Sequence, residues 1–289
     1  MRLSYHQCFP ATFLRTFGHC LHLWLAGILL LKLLALPAWA DLPTNVTLSS
    51  SGDPPYQEVD RQIDVNGRMV TVRVFLYLDE RQWAAYVINL VAQALPLMEQ
   101  DIGIVEPYRQ ILIYEAREST EGVVGTAIGA VLRLTPAAEE HTVLHELSHL
   151  WLDFNFHERW VREGFADVQA LRAMQMLGWS SDILQRRSAA YSQRCVPADW
   201  PLTLWNTSPN LDMGCAYGKS ALFAALLYQV LGEPEVHGIL QQLYLNALQG
   251  RSFQEELMVL YPPTVPDNVA RLFSGWVNTG PYYWSMPRL

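Results

Sequence analysis

Two histidines separated by three residues are the side chains of this chain best suited to chemistry, in the sequence His-Glu-Leu-Ser-His that begins at His145. Residues four apart lie on one face of a helix, so the rings of His145 and His149 can reach the same metal ion. Glu146 lies one step further round the helix, beside the position that a catalytic zinc keeps open for water. The pattern therefore indicates a zinc hydrolase site with Glu146 as the base. The alternative is an amphipathic helix on which two histidines share a face by chance.

A catalytic zinc needs a third protein ligand, and two carboxylates follow in the sequence. Glu163 comes fourteen residues after His149, which leaves room for the first helix to end, for a turn at residues 155–158 and for a second helix to return to the metal. Glu163 and Asp167 are four residues apart, so one can bind the metal while the other accepts a hydrogen bond from a ligand histidine. The alternative, a solvated acidic stripe, is disfavoured by apolar neighbours such as Trp160.

These two motifs resemble the gluzincin metallopeptidases, and more narrowly the short peptidase MA-like domains that are related to the M1 aminopeptidases. In that group the HExxH helix is followed by a helix of the form Trp-x-x-Glu-Gly-Phe-Ala-acid, which here starts at Trp160. The resemblance implies one Zn²⁺ per chain, bound by three residues: His145, His149 and Glu163. It gives the role of general base to Glu146. In thermolysin-like relatives an acid four residues after the ligand glutamate hydrogen-bonds a ligand histidine, and Asp167 occupies that place.

A further similarity to this group lies downstream, in the sequence Ala-Tyr-Gly-Lys-Ser around Tyr217. It is similar to the family's Tyr-x-Lys-Gly helix, whose tyrosine stabilises the tetrahedral intermediate, although the order here is Tyr-Gly-Lys-Ser. The resemblance implies a catalytic role for Tyr217. The alternative is a core tyrosine on an apolar helix.

The segment from residue 127 to residue 134 predicts a strand beside the metal helix. M1 aminopeptidases carry a Gly-x-Met-Glu-Asn strand that grips the amino terminus of the substrate, but this segment offers no carboxylate for a free α-amine. We therefore expect an endopeptidase. An exposed sheet edge can bind an extended peptide through backbone hydrogen bonds, and the residues expected to do so are Ala127, Ile128, Gly129 and Ala130. The alternative is an ordinary paired strand.

The first forty residues have the composition of an export signal. They contain three basic residues, no acid and an apolar stretch from Leu21 to Leu36, followed by an Ala-Trp-Ala sequence that ends at Ala40. We expect cleavage there and a location in the periplasm or outside the cell. The alternative is an uncleaved anchor within residues 21–40, which Lys32 disfavours. The membrane is expected as a partner only through this segment.

Charge and cysteine content narrow the range of partners. Removing residues 1–40 would take three basic residues and leave a net charge of −11, which disfavours a nucleic-acid partner because phosphate binding needs a basic face. Two of the four cysteines, Cys195 and Cys215, lie outside the export signal. In an oxidising compartment we expect them to form a disulfide that closes the loop 195–215, with two separate buried thiols as the alternative. We expect a monomer that acts on a peptide or protein substrate.

The elements that must position these residues indicate an α+β fold of the zincin-like kind. In it a small mixed sheet, with an exposed edge strand, packs on the HExxH helix and precedes a mostly helical half. Strands are predicted at residues 70–78, 110–114 and 127–134. Helices are predicted at residues 81–100, with an interruption at Pro96, and at 138–152, 159–177, 217–231, 235–248, 253–260 and 266–277. The predicted divisions are a lead-in at 41–69, a catalytic subdomain at 70–177 and a helical subdomain at 178–289.

Three hypotheses for the function follow from the sequence. The first is a secreted or periplasmic zinc metallopeptidase. The second is a binding or assembly module that keeps the gluzincin scaffold without hydrolysing anything, and the third is a membrane-tethered structural protein with a fortuitous HExxH. The presence of three ligands and a base together favours the first hypothesis.

Overall fold

We describe the protein from a computed structural model. The residues that the structure describes are 47–48, 57–77, 80–116, 124–152, 158–195, 202, 205, 212–245 and 253. The predicted export signal, the lead-in up to residue 46 and the predicted helices at 253–260 and 266–277, apart from residue 253, lie outside the described residues. Most of the loop between residues 195 and 215 lies outside them as well.

The described residues form six strands and six helices. The strands are β1 (Thr47–Leu48), β2 (Gln57–Val65), β3 (Arg68–Leu76), β4 (Gln110–Glu115), β5 (Gly125–Ile128) and β6 (Val131–Leu134). The helices are α1 (Arg81–Ile102), α2 (Glu140–Leu152), α3 (Arg159–Met176), α4 (Ile183–Arg194), α5 (Met213–Leu231) and α6 (Glu233–Leu245). Among these residues, no helix is both long enough and apolar enough to span a membrane.

The strands form one mixed sheet in the order β1-β2-β3-β4-β6-β5. The β3–β4 and β4–β6 pairs are parallel and the other pairs are antiparallel, and β5 lies at one edge. Every second side chain of β3 is buried in the core, as the period of a strand with one covered face requires. Helices α1 and α2 pack on the sheet, and the α+β prediction is confirmed.

The structure corrects two predictions in the N-terminal half of the sheet. Residues 57–69 do not belong to a lead-in, because they form β2 and the turn into β3. That turn is built on Asn66 and Gly67, which both have positive φ angles (52° and 86°) as a tight hairpin turn requires. The helix predicted with an interruption at Pro96 is instead continuous to Ile102, since its buried face packs on the sheet. The carbonyl oxygen of Pro96 accepts a hydrogen bond from the Asn66 side chain at 3.2 Å.

Two further corrections concern elements near the candidate site. The strand predicted at residues 127–134 is a hairpin, in which Gly129 has a φ of 57° and the chain reverses between β5 and β6. A glycine at this first central position is what a two-residue hairpin loop favours. The segment 183–194, which the sequence analysis left without an element, is helix α4.

Helix α3 contributes to both of the apolar clusters in the described part of the chain. Its Ala170 and Ala173 belong to the cluster that fills the space between the sheet, α1 and α2. Its Phe165 and Val168 belong to a second cluster with α5, α6 and Phe253. The N-terminal part of α3 therefore packs in the helical half and its C-terminal part packs against the sheet half.

A buried acidic pair closes the end of α1 against β3. The Arg68 guanidinium contacts Glu99 at 2.6 Å and Glu106 at 3.3 Å, and the backbone N–H of Tyr108 also donates to Glu106. Burial raises the pKa of Glu106 to about 7, although Tyr108 and Arg68 both oppose the rise. The folded protein therefore binds a proton at Glu106 that the unfolded chain, with an ordinary glutamate value of 4.5, releases.

This raised pKa predicts a loss of stability as the pH increases. The contribution of Glu106 to the free energy of unfolding is fully present below pH 4.5. It is lost as the pH rises through about 7, because the carboxylate must then ionise inside the fold. We expect Glu106→Gln to raise the melting temperature relative to the wild type more at pH 8 than at pH 5, measured by circular dichroism. The exposed Glu235→Gln is the control. An equal effect of Glu106→Gln at both pH values would contradict the shift.

Candidate metal centre

Helix α2 carries both histidines into the interior. His145 and His149 are 6% and 5% exposed, and their Nε2 atoms lie 3.3 Å apart on the face of α2 that meets α3. The carboxylate of Glu163, in the second turn of α3, approaches both rings. Its Oε2 lies 3.2 Å from the Nε2 of His145 and 3.6 Å from that of His149. Helices α2 and α3 thus bring two imidazole nitrogens and one carboxylate oxygen close enough together to bind one metal ion.

The spacing of these three atoms fits a zinc ion. Tetrahedral zinc with bonds of about 2.0–2.2 Å to nitrogen and oxygen separates its ligand atoms by about 3.3–3.6 Å. The separations of 3.2, 3.3 and 3.6 Å match the edges of such a tetrahedron. The set contains two imidazoles and one carboxylate, which is a ligand set of catalytic zinc sites with a fourth position for water.

Asp167 fixes the orientation of His145. Its Oδ1 lies 2.9 Å from the Nδ1 of His145, and the ionised carboxylate can only accept, so Nδ1 carries a proton and Nε2 is the ring atom that faces Glu163 and His149. Asp167 is fully buried, and Arg187 donates to both of its oxygens at 2.6 and 3.0 Å. Burial would raise the pKa of Asp167, but His145 and Arg187 lower it below the ordinary value.

The buried carboxylates of the centre stabilise positive charge between His145, His149 and Glu163. Burial alone would lower the pKa of His145, but the carboxylates of Asp167, Glu163 and Glu146 together raise it to about 10. Burial would likewise raise the pKa of Glu163, which the two histidines hold well below its ordinary range. A site that stabilises a proton this strongly also stabilises a divalent cation, because both neutralise the same buried carboxylates.

Glu146 lies between the metal ligands and the edge of the sheet. A Cβ atom at Gly125 would come within 2.8 Å of both the Cγ and the Oε1 of Glu146, so this side chain lies directly against β5. Among the described strands, β5 pairs with β6 alone, which leaves its other edge open. The predicted base and an exposed edge strand are therefore neighbours.

The structure brings only two of the four predicted substrate-binding residues onto that edge strand. Ala127 and Ile128 lie in β5, and Ile128 is 80% exposed. Gly129 and Ala130 form the hairpin turn instead, and the carbonyl oxygen of Ala130 accepts a hydrogen bond from the backbone N–H of Leu112 at 2.8 Å. A turn residue with an occupied carbonyl cannot extend the edge, so the open strand runs from Gly125 to Ile128.

Tyr217, in the second turn of α5, lies beside the metal ligands. Its ring centroid is 6.4 Å from that of His145 and 5.1 Å from that of Trp205, and the Arg187 guanidinium lies 5.0 Å from its ring centroid. The charges of Glu163 and Glu146 both act on its hydroxyl. Burial raises the pKa of Tyr217, so the phenol stays protonated at neutral pH and can donate a hydrogen bond.

Two glycines allow the helices around the centre to come this close. A Cβ atom at Gly164, next to Glu163, would lie 2.5 Å from the backbone oxygen of Ser220 on α5. A Cβ atom at Gly218, next to Tyr217, would lie 2.6 Å from the backbone oxygen of Arg187 on α4. The close helix crossings therefore occur at the positions adjacent to the metal ligand and the tyrosine.

Helix α4 carries a residue of the centre, Arg187, that the sequence motifs did not reveal. Its Arg187 contacts Asp167 and Tyr217, and its C-terminal neighbour Cys195 forms a disulfide with Cys215, which lies two residues before Tyr217. The sequence around Arg187 is polar and carries no motif, so no local pattern marked it. Arg159 was also missed, because it directly precedes the quoted motif, although its position one turn before Glu163 was a usable signal.

A second group of possible ligands lies away from this centre, between α1 and α6, and consists of Asp101, Glu233 and His237. Arg172 already occupies the position that a cation would take. It donates to both oxygens of Asp101, at 2.8 and 2.6 Å, and contacts Glu233 at 2.8 Å. We therefore assign this group to an ion-pair network.

The sequence matches no family model and no curated protein. Solved structures with a similar fold include an M1 zinc metallopeptidase from Deinococcus radiodurans, with 15% identity, a TM-score of 0.58 and coverage of 81% of this chain and 53% of that chain. A mutant of the Deinococcus radiodurans peptidase bound to a Tyr-Ser-Ala substrate has 15% identity, a TM-score of 0.57 and coverage of 86% and 62%. A two-domain mutant bound to L-tryptophan has 15% identity, a TM-score of 0.58 and coverage of 85% and 61%.

The chain thus shares the fold of these solved structures, and the resemblance noted in the sequence is confirmed at the level of the fold. It spans between 53% and 62% of the length of these structures. The likeness was visible in the sequence at the motifs around the candidate metal ligands and, less closely, around Tyr217.

The close approach of α3 and α5 predicts a specific effect of adding one methyl group. We expect Gly164→Ala to destabilise the protein by about 1–3 kcal/mol, because the methyl group meets backbone that has to move. Gly238→Ala, on helix α6 with nothing within 4 Å of the new atom, is the matched control. It should be neutral or stabilise by up to about 1 kcal/mol through helix propensity. Urea denaturation of both variants measures the difference, and equal stabilities would contradict the close crossing.

Proposed function

We propose that this protein is a zinc-dependent peptidase that hydrolyses peptide bonds with Glu146 as general base. The observation that carries the proposal is the convergence of His145, His149 and Glu163 at tetrahedral spacing. Two features beside it support hydrolysis of a peptide rather than metal storage. One is the base next to the ligands, and the other is the open edge of β5 against that base.

A bound zinc ion would supply Lewis acidity, which polarises the scissile carbonyl and acidifies water to a pKa near 7. Glu146 takes the proton from the attacking water and returns it to the leaving amine. Tyr217 donates a hydrogen bond to the carbonyl oxygen as that oxygen gains negative charge. Asp167 holds His145 in the tautomer that binds metal through Nε2.

The substrate would lie along β5 as an added strand, with its backbone paired to residues between Gly125 and Ile128. One similar structure is described as bound to a Tyr-Ser-Ala substrate, which supports a peptide as the substrate class. The sequence of β5 and β6 contains no carboxylate that could hold a free α-amine. This absence supports endopeptidase activity over aminopeptidase activity.

We further propose that the protein acts as a monomer outside the cytoplasm. The export signal in residues 1–40 and the disulfide between Cys195 and Cys215 support an oxidising compartment. Proteolysis of labelled casein by the purified protein separates the peptidase from the alternative, a binding or assembly module on the same scaffold. The second function predicts no turnover, with or without bound metal.

Two glutamate variants separate the base from the ligand. Glu146→Gln should retain one zinc ion per chain, because the side chain is not a ligand. Its turnover of casein should fall by a factor on the order of 10² to 10⁴, since the proton acceptor is lost. Glu163→Gln should instead lose zinc, because a neutral amide replaces the anionic ligand. Metal content by mass spectrometry and initial rates measure both, and full activity of Glu146→Gln would refute the proposed base.

A further inference from the structure

Arg187 is a charged side chain of the centre to which the mechanism above gives no role. It lies in the second turn of α4, and its guanidinium donates to both oxygens of Asp167, with Nε 2.6 Å from Oδ2 and Nη2 3.0 Å from Oδ1. The same Oδ1 lies 2.9 Å from the Nδ1 of His145. Two parallel hydrogen bonds fix the plane of a carboxylate, which a single bond does not. Arg187 therefore keeps Oδ1 directed at the ring of His145.

The side chain of Asp167 depends on few partners. Among the described residues, it makes hydrogen bonds with His145 and Arg187. The remaining donor nearby is His141, whose Nε2 lies 3.6 Å from Oδ1, beyond hydrogen-bonding distance. Because Asp167 is fully buried, its charge has to be compensated by these contacts. Loss of the guanidinium would thus leave the carboxylate with the histidine as its hydrogen-bond partner and free to turn.

The guanidinium of Arg187 also lies against the tyrosine of the centre. Its carbon atom is 5.0 Å from the ring centroid of Tyr217, within the range of a cation–π contact. The main chain is close as well, because a Cβ atom at Gly218 would lie 2.6 Å from the backbone oxygen of Arg187. The side chain and the backbone of Arg187 therefore both approach the segment of α5 that carries Tyr217.

We propose that Arg187 is a positioning residue with two effects, an inference that rests on the proposed function. Through Asp167 it orients His145 and so increases the affinity of the centre for zinc. Through its contact with the ring it holds Tyr217 where the hydroxyl can reach the carbonyl oxygen of the substrate. One guanidinium thus links binding of the metal to the position of the tyrosine.

The first effect is tested by zinc affinity, measured by competition with a chromogenic chelator in the absence of substrate. Arg187→Met keeps the apolar stem of the side chain and removes both hydrogen bonds. We expect it to raise the dissociation constant for zinc about tenfold, the lower end of the range of about 10- to 100-fold for partners of metal-bound histidines. The double variant Asp167→Asn/Arg187→Met should bind zinc like Asp167→Asn alone, because Arg187 acts on the metal through Asp167.

The second effect is tested by kcat and KM on an internally quenched peptide at saturating zinc. Arg187→Met should lower kcat by a factor on the order of 10 with KM nearly unchanged, because displacement of an active-site group weakens mainly the transition state. In the Tyr217→Phe background the same substitution should not lower kcat further, since phenylalanine lacks the hydroxyl that Arg187 positions.

Two further variants make both measurements specific. Arg187→Lys keeps the charge but cannot form two parallel hydrogen bonds, so its zinc dissociation constant should lie between those of the wild type and Arg187→Met. If Arg187→Met does not fold, Arg187→Lys decides the first effect, and wild-type zinc affinity in it would overturn the inference. Arg186→Met is the matched control from the next position of α4, where Arg186 pairs at the surface with Glu139 and Asp182. Its zinc affinity and kcat should equal those of the wild type.

The possible failures are distinguishable from one another. Unchanged zinc affinity in Arg187→Met, or a double variant that binds zinc more weakly than Asp167→Asn, would overturn the inference. An equal loss of kcat in the wild-type and Tyr217→Phe backgrounds would overturn it as well, because Arg187 would then not act through the tyrosine. If the wild type binds zinc but hydrolyses no peptide, the proposed function fails, and the zinc affinities still decide whether Arg187 orients His145.

Discussion

The candidate centre depends on how one buried carboxylate is compensated. Asp167 is fully buried, and an ionised group in that position is costly unless its charge and its hydrogen bonds are both matched. His145 and Arg187 supply the match, at 2.9 Å and at 2.6 and 3.0 Å. The same contacts fix the ring of His145, so that its Nε2 faces His149 and Glu163. The ligand atoms of these three side chains lie within 3.6 Å of one another, and a cation between them would neutralise the charge of Glu163.

Arg187 supplies its part of that compensation from the helical half of the chain and links this half to the sheet half. Arg187 lies on α4, Tyr217 lies on α5, and the disulfide of Cys195 with Cys215 joins the end of α4 to the first turn of α5. Because Gly218 of α5 has no side chain, α5 can contact the backbone of α4 at Arg187. The partner of Asp167 and the proposed hydrogen-bond donor are therefore held relative to each other by one pair of helices.

The sequence was most informative where function depends on local spacing. His145 and His149 could be predicted because the helical period places them on one face, and Glu163 was assigned as the third ligand through the resemblance to the gluzincin motif. Arg187 could not, since it reaches Asp167 through the packing of α4, a polar segment without an apolar period. The β5–β6 hairpin was wrongly predicted as one strand because its apolar run is continuous and only Gly129 marks the turn. The β2–β3 hairpin was missed although Asn-Gly at residue 66 is a strong turn signal.

The distribution of charge at the mouth of the centre bears on which peptides it can receive. The side chains of Glu163 and Asp167 are 12% and 0% exposed and face His145 and the arginines, whereas that of Arg159 is 40% exposed. A free α-amine that entered the centre would be repelled by this cation. An internal peptide segment carries no such charge and can pair its backbone with β5. The charges and the open strand therefore support the proposal of an endopeptidase, which cleaves peptide bonds distant from the amino terminus.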